Sequence, residues 1–238
     1  HVSASVGDYI TKITKYHNPD RVISDRYEGQ TLGEIWGYHV EGLFKTDREA
    51  AEYQASIDDK AVNNRVYQNK GPAGNRLRAG DVRFADLDGN NIINNGDGTV
   101  KNPGDMRVIG NSLPRYTYSI RGDLNWNGFD FAVFFQGVGK RDWYPWTESG
   151  FFWGKWNRAY NSLMKTQTGD RVVKIDKSTD NWRVTNMDKN PYWTRMVSLA
   201  ANRNDGPLTW ENDHYLQDAS YIRLKNITVD YTFPKHIC

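Results

Sequence analysis

Apolar and polar residues alternate along YTYSIRGDLNWNGFDFAVFFQG, residues 116–137. Tyr116, Tyr118, Ile120, Gly122, Leu124 and Trp126 fall on one parity, and Thr117, Ser119, Arg121, Asp123 and Asn125 on the other. A period of two is the signature of a strand, not of a helix. After Asn127-Gly128 the alternation resumes with Phe129, Phe131, Val133 and Phe135 against Asp130, Ala132, Phe134 and Gln136. Asn-Gly supplies two residues able to adopt φ > 0, as a type I′ turn demands, so the segment is predicted to be a β-hairpin. Each arm runs to roughly ten residues, longer than the usual globular strand and long enough, when tilted, to cross a bilayer.

The same period returns in YIRLKNITVDYTF, residues 221–233. Ile227, Val229, Tyr231 and Phe233 share one parity, which Arg223 and Lys225 join at the start. Residues 1–16 read as one or two short strands with a turn at Gly7-Asp8, and residues 32–44 as one edge strand. Thr46 and Glu49 match a capping box, and Ala50, Tyr53 and Ile57 follow at helical spacing, which predicts a helix of about three turns. Two stretches dense in Gly, Asn, Asp and Pro, 68–115 and 165–213, are expected to be long loops on a β scaffold. The chain opens in strand-like sequence and stops just after another strand, and it reads as part of something longer.

An apolar-out, polar-in hairpin of this length fits two settings. In a soluble β-sandwich the apolar face meets a second sheet; in an outer-membrane barrel it meets lipid. Composition leans toward a boundary environment: only 38% of the 238 residues are apolar, yet nine are Trp and fourteen are Tyr. Such rings suit sites with one dry side and one wet side, including membrane interfaces, sugar-binding surfaces and protein interfaces. The net charge of +2, with no basic block, argues against nucleic acid as a partner. The single cysteine, Cys238, allows no intrachain disulfide and no multi-cysteine metal site. No run of eighteen apolar residues occurs, which excludes a spanning helix and leaves spanning strands open.

Two stretches carry candidate chemistry. In DLDGNNIINNGD, residues 86–97, Asp86, Asp88, Asn90, Asn94 and Asp97 stand at positions 1, 3, 5, 9 and 12 of an EF-hand-like loop, with the Ile92 carbonyl at position 7. Hard oxygens spaced by two residues can wrap a Ca²⁺ ion; Asn91 replaces the usual turn Gly, and Asp97 the usual bidentate Glu. The alternative is a loop held by its own side-chain to backbone bonds. In RDWYPWTESGFFWGKW, residues 141–156, Trp143, Tyr144, Trp146, Trp153 and Trp156 are candidates for stacking on a substrate, against an aromatic girdle or an internally packed loop. No catalytic set emerges. Glu148, Glu211 and Asp213 have no distinguishing spacing, and no HExxH, GxSxG or P-loop element occurs, so the chain is not read as an enzyme.

Four stretches in order, LGEIWGYHVEGLFKT (32–46), GDVRFADLDGNN (80–91), VIGNSLPRYTYSIRGDLNWNGFDFAVFFQGVGKRD (108–142) and YLQDASYIRLKNITVDYTFP (215–234), resemble the C-terminal part of the SusC/RagA family of TonB-linked outer-membrane transporters. The resemblance implies an all-β fold: part of an antiparallel transmembrane β-barrel, with 43–113 and 138–220 as long extracellular loops and the Asn127-Gly128 turn on the periplasmic side. It implies import of oligosaccharides or peptides with a SusD-like lipoprotein lid, driven by TonB–ExbBD, in a bacterial outer membrane. The family's plug, TonB box and terminal strands have no counterpart here. The competing expectation is a soluble Ca²⁺-dependent carbohydrate-binding β module. It would bury Ile120, Leu124, Phe131 and Val133 between sheets, where a barrel would expose them.

Overall fold

The computed structural model describes residues 1–59, 77–146, 149–201 and 207–233. Glu148 and Cys238 lie outside them. In chain order the strands are β1 (Val2–Gly7), β2 (Glu34–Tyr38), β3 (Val40–Leu43), β4 (Val82–Phe84), β5 (Met106–Asn111), β6 (Arg115–Trp126), β7 (Phe129–Lys140), β8 (Asp142–Trp143), β9 (Ile175–Asp176), β10 (Arg183–Val184), β11 (Gln217–Asp218) and β12 (Tyr221–Tyr231). Helix α1 (Asp47–Ser56) follows β3, and a one-turn helix α2 (Gly150–Trp153) follows β8. The fold is all-β. Among the described residues the strands do not close into a barrel, and no helix is long and apolar enough to cross a membrane.

The long strands form one antiparallel sheet in the order β1-β6-β7-β12. Its centre is the hairpin expected from the alternation, twelve residues to an arm, and Asn127 and Gly128 take φ of 48° and 86°. Register sorts the side chains by face, because directly paired residues lie on the same side. Ala4 pairs Ile120, Ile120 pairs Phe135, and Phe135 pairs Leu224; Leu124 pairs Phe131, which pairs Val229. The apolar parities of four strands thus merge into one face.

In β12 this register corrects the parity inferred from sequence. A bulge between Leu224 and Asn226 adds one residue, which reverses the face of everything before it. Arg223 therefore pairs Gln136 on the polar side, and Leu224 takes its place on the apolar side.

No second sheet covers the apolar face among the described residues. Leu124 is 63% exposed and Val229 is 64% exposed, and Ile120 and Ile227 are exposed as well. Phe131 and Val133 are half-buried. The core lies elsewhere, in the connections. Trp153, Trp156, Trp193 and Tyr215 are wholly or almost wholly buried and pack together with Tyr144, Phe84 and Ile93. Ring centroids there are 5.0 Å apart for both Trp153–Tyr215 and Trp156–Trp193.

The region expected as one loop over 68–115 holds β4 and β5, which pair with β3 and β2. The single strand expected over 32–44 is divided at His39 into β2 and β3, each with its own partner. Helix α1 starts as its capping residues predict, with Thr46 Oγ1 accepting from the Glu49 amide at 3.1 Å. The Glu49 carboxylate reaches back to the Lys45 amide, one residue before the cap. At the start of α1, Asp47 is buried; it accepts from the Ala79 amide at 2.9 Å and from Arg78, whose guanidinium lies 3.3 Å from the centroid of the Trp182 ring.

Candidate functional site

The acidic loop follows β4 and is held by its own side chains. Asp86 accepts from the amides of Gly89 and Asn91, both at 2.8 Å; Asp88 accepts from Asn90, and Asn90 from Ile92. Asn91 takes φ of 64°, the left-handed conformation that glycine usually supplies in an ion-binding loop. These bonds organise the loop and leave carboxylate lone pairs free, since each oxygen accepts more than one partner.

Asp86 and Asp88 are joined by Asp105, from the residue before β5, with one oxygen of each within 4.8 Å of the others. Asp105 is fully buried and accepts from the amides of Leu87 and Asn94, at 2.7 and 2.8 Å. Burial, together with the charges of Asp88 and Asp86, raises its carboxyl above the usual carboxylate range despite those two bonds. Asp97, at the twelfth position, is exposed and stands outside this trio. Its amide bonds to the Asn102 carbonyl, because the chain makes a separate turn there around Gly96 and Gly98. Asn94 spends its side-chain oxygen on the Gly96 amide, and the Ile92 carbonyl accepts from Asn94.

Beside this loop lies a cavity of about 750 Å³. Trp36 from β2, Trp143 from β8, and Trp146 and Trp210 from the connections line it, with Glu34 and Glu211. Tyr144 fixes the wall: its hydroxyl donates to the carbonyls of Leu208 and Trp210, and accepts from Asn212 Nδ2 at 3.0 Å. Trp146 stands edge-on to Tyr144, and Trp210 edge-on to Tyr38, each with centroids 6.3 Å apart. Glu34 is engaged, accepting from the Tyr27 hydroxyl and the Thr31 amide. Burial raises the Glu211 carboxyl, opposed by a bond from its own backbone amide and, among the described residues, by no cationic side chain. Asn95 and Met106, neighbours of the acidic loop's Asn94 and Asp105, also line the cavity.

The structure divides the five aromatic candidates. Trp143 and Trp146 are exposed and line the cavity. Tyr144 lines it too but is buried, as part of the wall. Trp153 and Trp156 are core residues with no exposed surface, a correction to their reading as stacking rings. Their indole N–H groups are satisfied internally, Trp153 by the Pro145 carbonyl at 2.6 Å and Trp156 by Thr194 Oγ1 at 3.0 Å, so neither ring needs water at its polar tip. Asp213 accepts from the Val40 amide and bonds His39.

The chain matches no protein-family profile. In an alignment of 223 positions that covers 87% of its length, it is 25% identical to TonB-dependent receptor P39 of Formosa agariphila. It is 27% identical over 210 residues, also 87% of its length, to TonB-dependent receptor P3 of the same organism, and 27% identical over 142 residues to receptor P26. The chain is similar to TonB-dependent receptors. It spans 19% and 16% of the length of P39 and P3.

Three residues of the cavity and the acidic loop are not marked by local sequence. Asp105 lies too far from the acidic run to join its spacing, and Trp36 and Trp210 read as an ordinary strand residue and an ordinary loop residue. The local signal that could have flagged Trp210 is its neighbour Glu211, a ring and a carboxylate side by side.

Proposed function

We propose that this chain forms part of the wall and outer loops of a TonB-dependent outer-membrane importer of the SusC/RagA kind. Oligosaccharides or peptides would be taken up beneath a SusD-like lipoprotein, with energy from TonB–ExbBD. The observation that carries this reading is an inversion: long strands present a continuous apolar face to the outside, and the aromatic core sits among the connections. A soluble module would do the opposite, since an uncovered apolar sheet in water is an aggregation surface. The similarity to TonB-dependent receptors adds independent support. On this reading 43–113 and 138–220 are extracellular, the Asn127-Gly128 turn is periplasmic, and the outer edges of β1 and β12 pair with further barrel strands.

The acidic loop is proposed as a Ca²⁺ site formed by Asp86, Asp88 and Asp105, with Asn90 and the Ile92 carbonyl close at hand. Three carboxylates in one small volume repel one another, and a divalent cation would relieve that repulsion. Trp143 and Trp146 are proposed as substrate-facing rings.

The test of the transport reading is fractionation of the source bacterium followed by intact-mass analysis of the polypeptide that carries this sequence. Recovery from detergent-solubilised outer membranes at several times 27.5 kDa, with a co-purifying lipoprotein, is the expected result. A 27.5 kDa species in the aqueous fraction would overturn it and favour the Ca²⁺-dependent carbohydrate-binding module.

A further inference from the structure

The cavity between β2, β8 and the 207–211 connection has a charge pattern as specific as its shape. Two acidic residues, Glu34 and Glu211, line it, and among the described residues no Lys, Arg or His does. Four indole rings complete the wall, and an indole face is electron-rich. Glu34 already serves Tyr27 and Thr31, whereas among the described residues the Glu211 carboxylate is bonded by its own backbone amide and by no cation. The rings are held in place by edge-on contacts and by the Tyr144–Asn212 bonds, so the site exists before a ligand enters. At about 750 Å³ it is the size of a small oligomeric ligand, not of a single ion.

From this geometry we propose that the cavity binds a protonated amine carried by the ligand, with the ammonium group at Glu211 and the attached carbon skeleton against Trp143, Trp146 and Trp210. A neutral hydroxyl can donate one hydrogen bond to Glu211 but leaves its charge uncompensated in a partly dry site. An ammonium group donates, neutralises the charge and is attracted to the ring faces as well. Amino sugars and lysine-bearing peptides share this chemistry. The inference deepens the transport reading and rests on it, because it names a feature of the imported ligand.

The experiment uses the full-length protein in detergent micelles and titrates matched probes by calorimetry: tri-glucosamine against tri-N-acetylglucosamine, and a lysine tripeptide against its Nε-acetylated form. The expected result is at least tenfold tighter binding of the amine in one pair, with the pair that responds identifying amino sugar or peptide as the source. Glu211→Gln, which keeps size and removes charge, should bring the amine's affinity down to that of its acetylated partner. Trp146→Ala, at an exposed ring, should weaken binding without altering the folded fraction.

Equal affinities within both pairs, no binding of any amine, or an amine preference that survives Glu211→Gln would each overturn the proposal. Failure here is separable from failure of the transport reading. A membrane-located protein that imports the acetylated probes would sink only the amine assignment; a water-soluble protein that binds amines would sink only the transport reading.

Discussion

Trp153 and Trp146 lie seven residues apart in one aromatic-rich run, yet they do different work. Trp153 has no exposed surface and touches Tyr144, Phe152, Trp193 and Tyr215, while Trp146 is 55% exposed at the cavity. Trp153→Ala is expected to cost about 3–5 kcal/mol of folding stability, the usual loss for a buried indole. Trp146→Ala should stay within about 0.5 kcal/mol, as exposed positions do. Denaturant titration of both variants, read by tryptophan fluorescence, checks the contrast; equal losses would mean that the rings are not partitioned as described. Thr46 is legible in the same local way. Thr46→Ala should destabilise α1 by about 1 kcal/mol, visible as faster amide exchange at Glu49, whose N–H loses its acceptor.

The four-stranded sheet gathers weak signals into a strong one. Each strand's alternation is ambiguous alone, and only the pairings align four apolar parities on one face. A charge placed there is expected to act by depth. Ile120→Arg, in the middle of β6, should cost about 2–4 kcal/mol of folding into phospholipid vesicles, whereas Ser119→Arg, on the polar face, should be tolerated. Refolding yield into vesicles decides it, and equal tolerance of both would remove the lipid-facing assignment. The turn is equally constrained. At Gly128 a Cβ would stand 3.1 Å from the Thr232 carbonyl oxygen, at a φ that side chains rarely adopt, so Gly128→Val should slow hairpin formation.

For the molecule as a whole, the acidic loop and the cavity are joined through Asn94-Asn95 and Asp105-Met106, so their chemistry is expected to be coupled. Asp105's folded-state carboxyl is raised, so in the metal-free protein its neutral form is the one the fold favours. That contribution is present below the unfolded pKa and is lost as pH rises through the higher folded one. Ca²⁺ requires the carboxylate, so the sign for binding is opposite. Ca²⁺ affinity should fall as pH drops through the raised value, beginning at a higher pH than an ordinary Asp would give. Calorimetry at neutral and mildly acidic pH, with Asp105→Asn as control, tests this, and a pH-independent affinity would exclude Asp105 as a ligand. Chelation should also weaken ligand binding in the cavity, because it frees the loop that carries Asn95.

Local order was legible wherever the cause is local. The hairpin follows from a period of two and from an Asn-Gly pair, and α1 follows from a hydroxyl three residues before an amide in need of an acceptor. Each of the four stretches that resemble outer-membrane transporters, likewise, is a run of consecutive residues. What required the folded chain depends on contacts distant in sequence. The bulge that turns Arg223 to the polar face is a property of the β7–β12 pairing. Asp105 replaces Asp97 because a turn at Gly96 and Gly98 carries the chain away and brings it back. Within residues 141–156 the tryptophans divide, two in the core and two at the cavity, and the two core rings find internal acceptors for their N–H groups. Composition counts such rings but cannot say which of them stay wet.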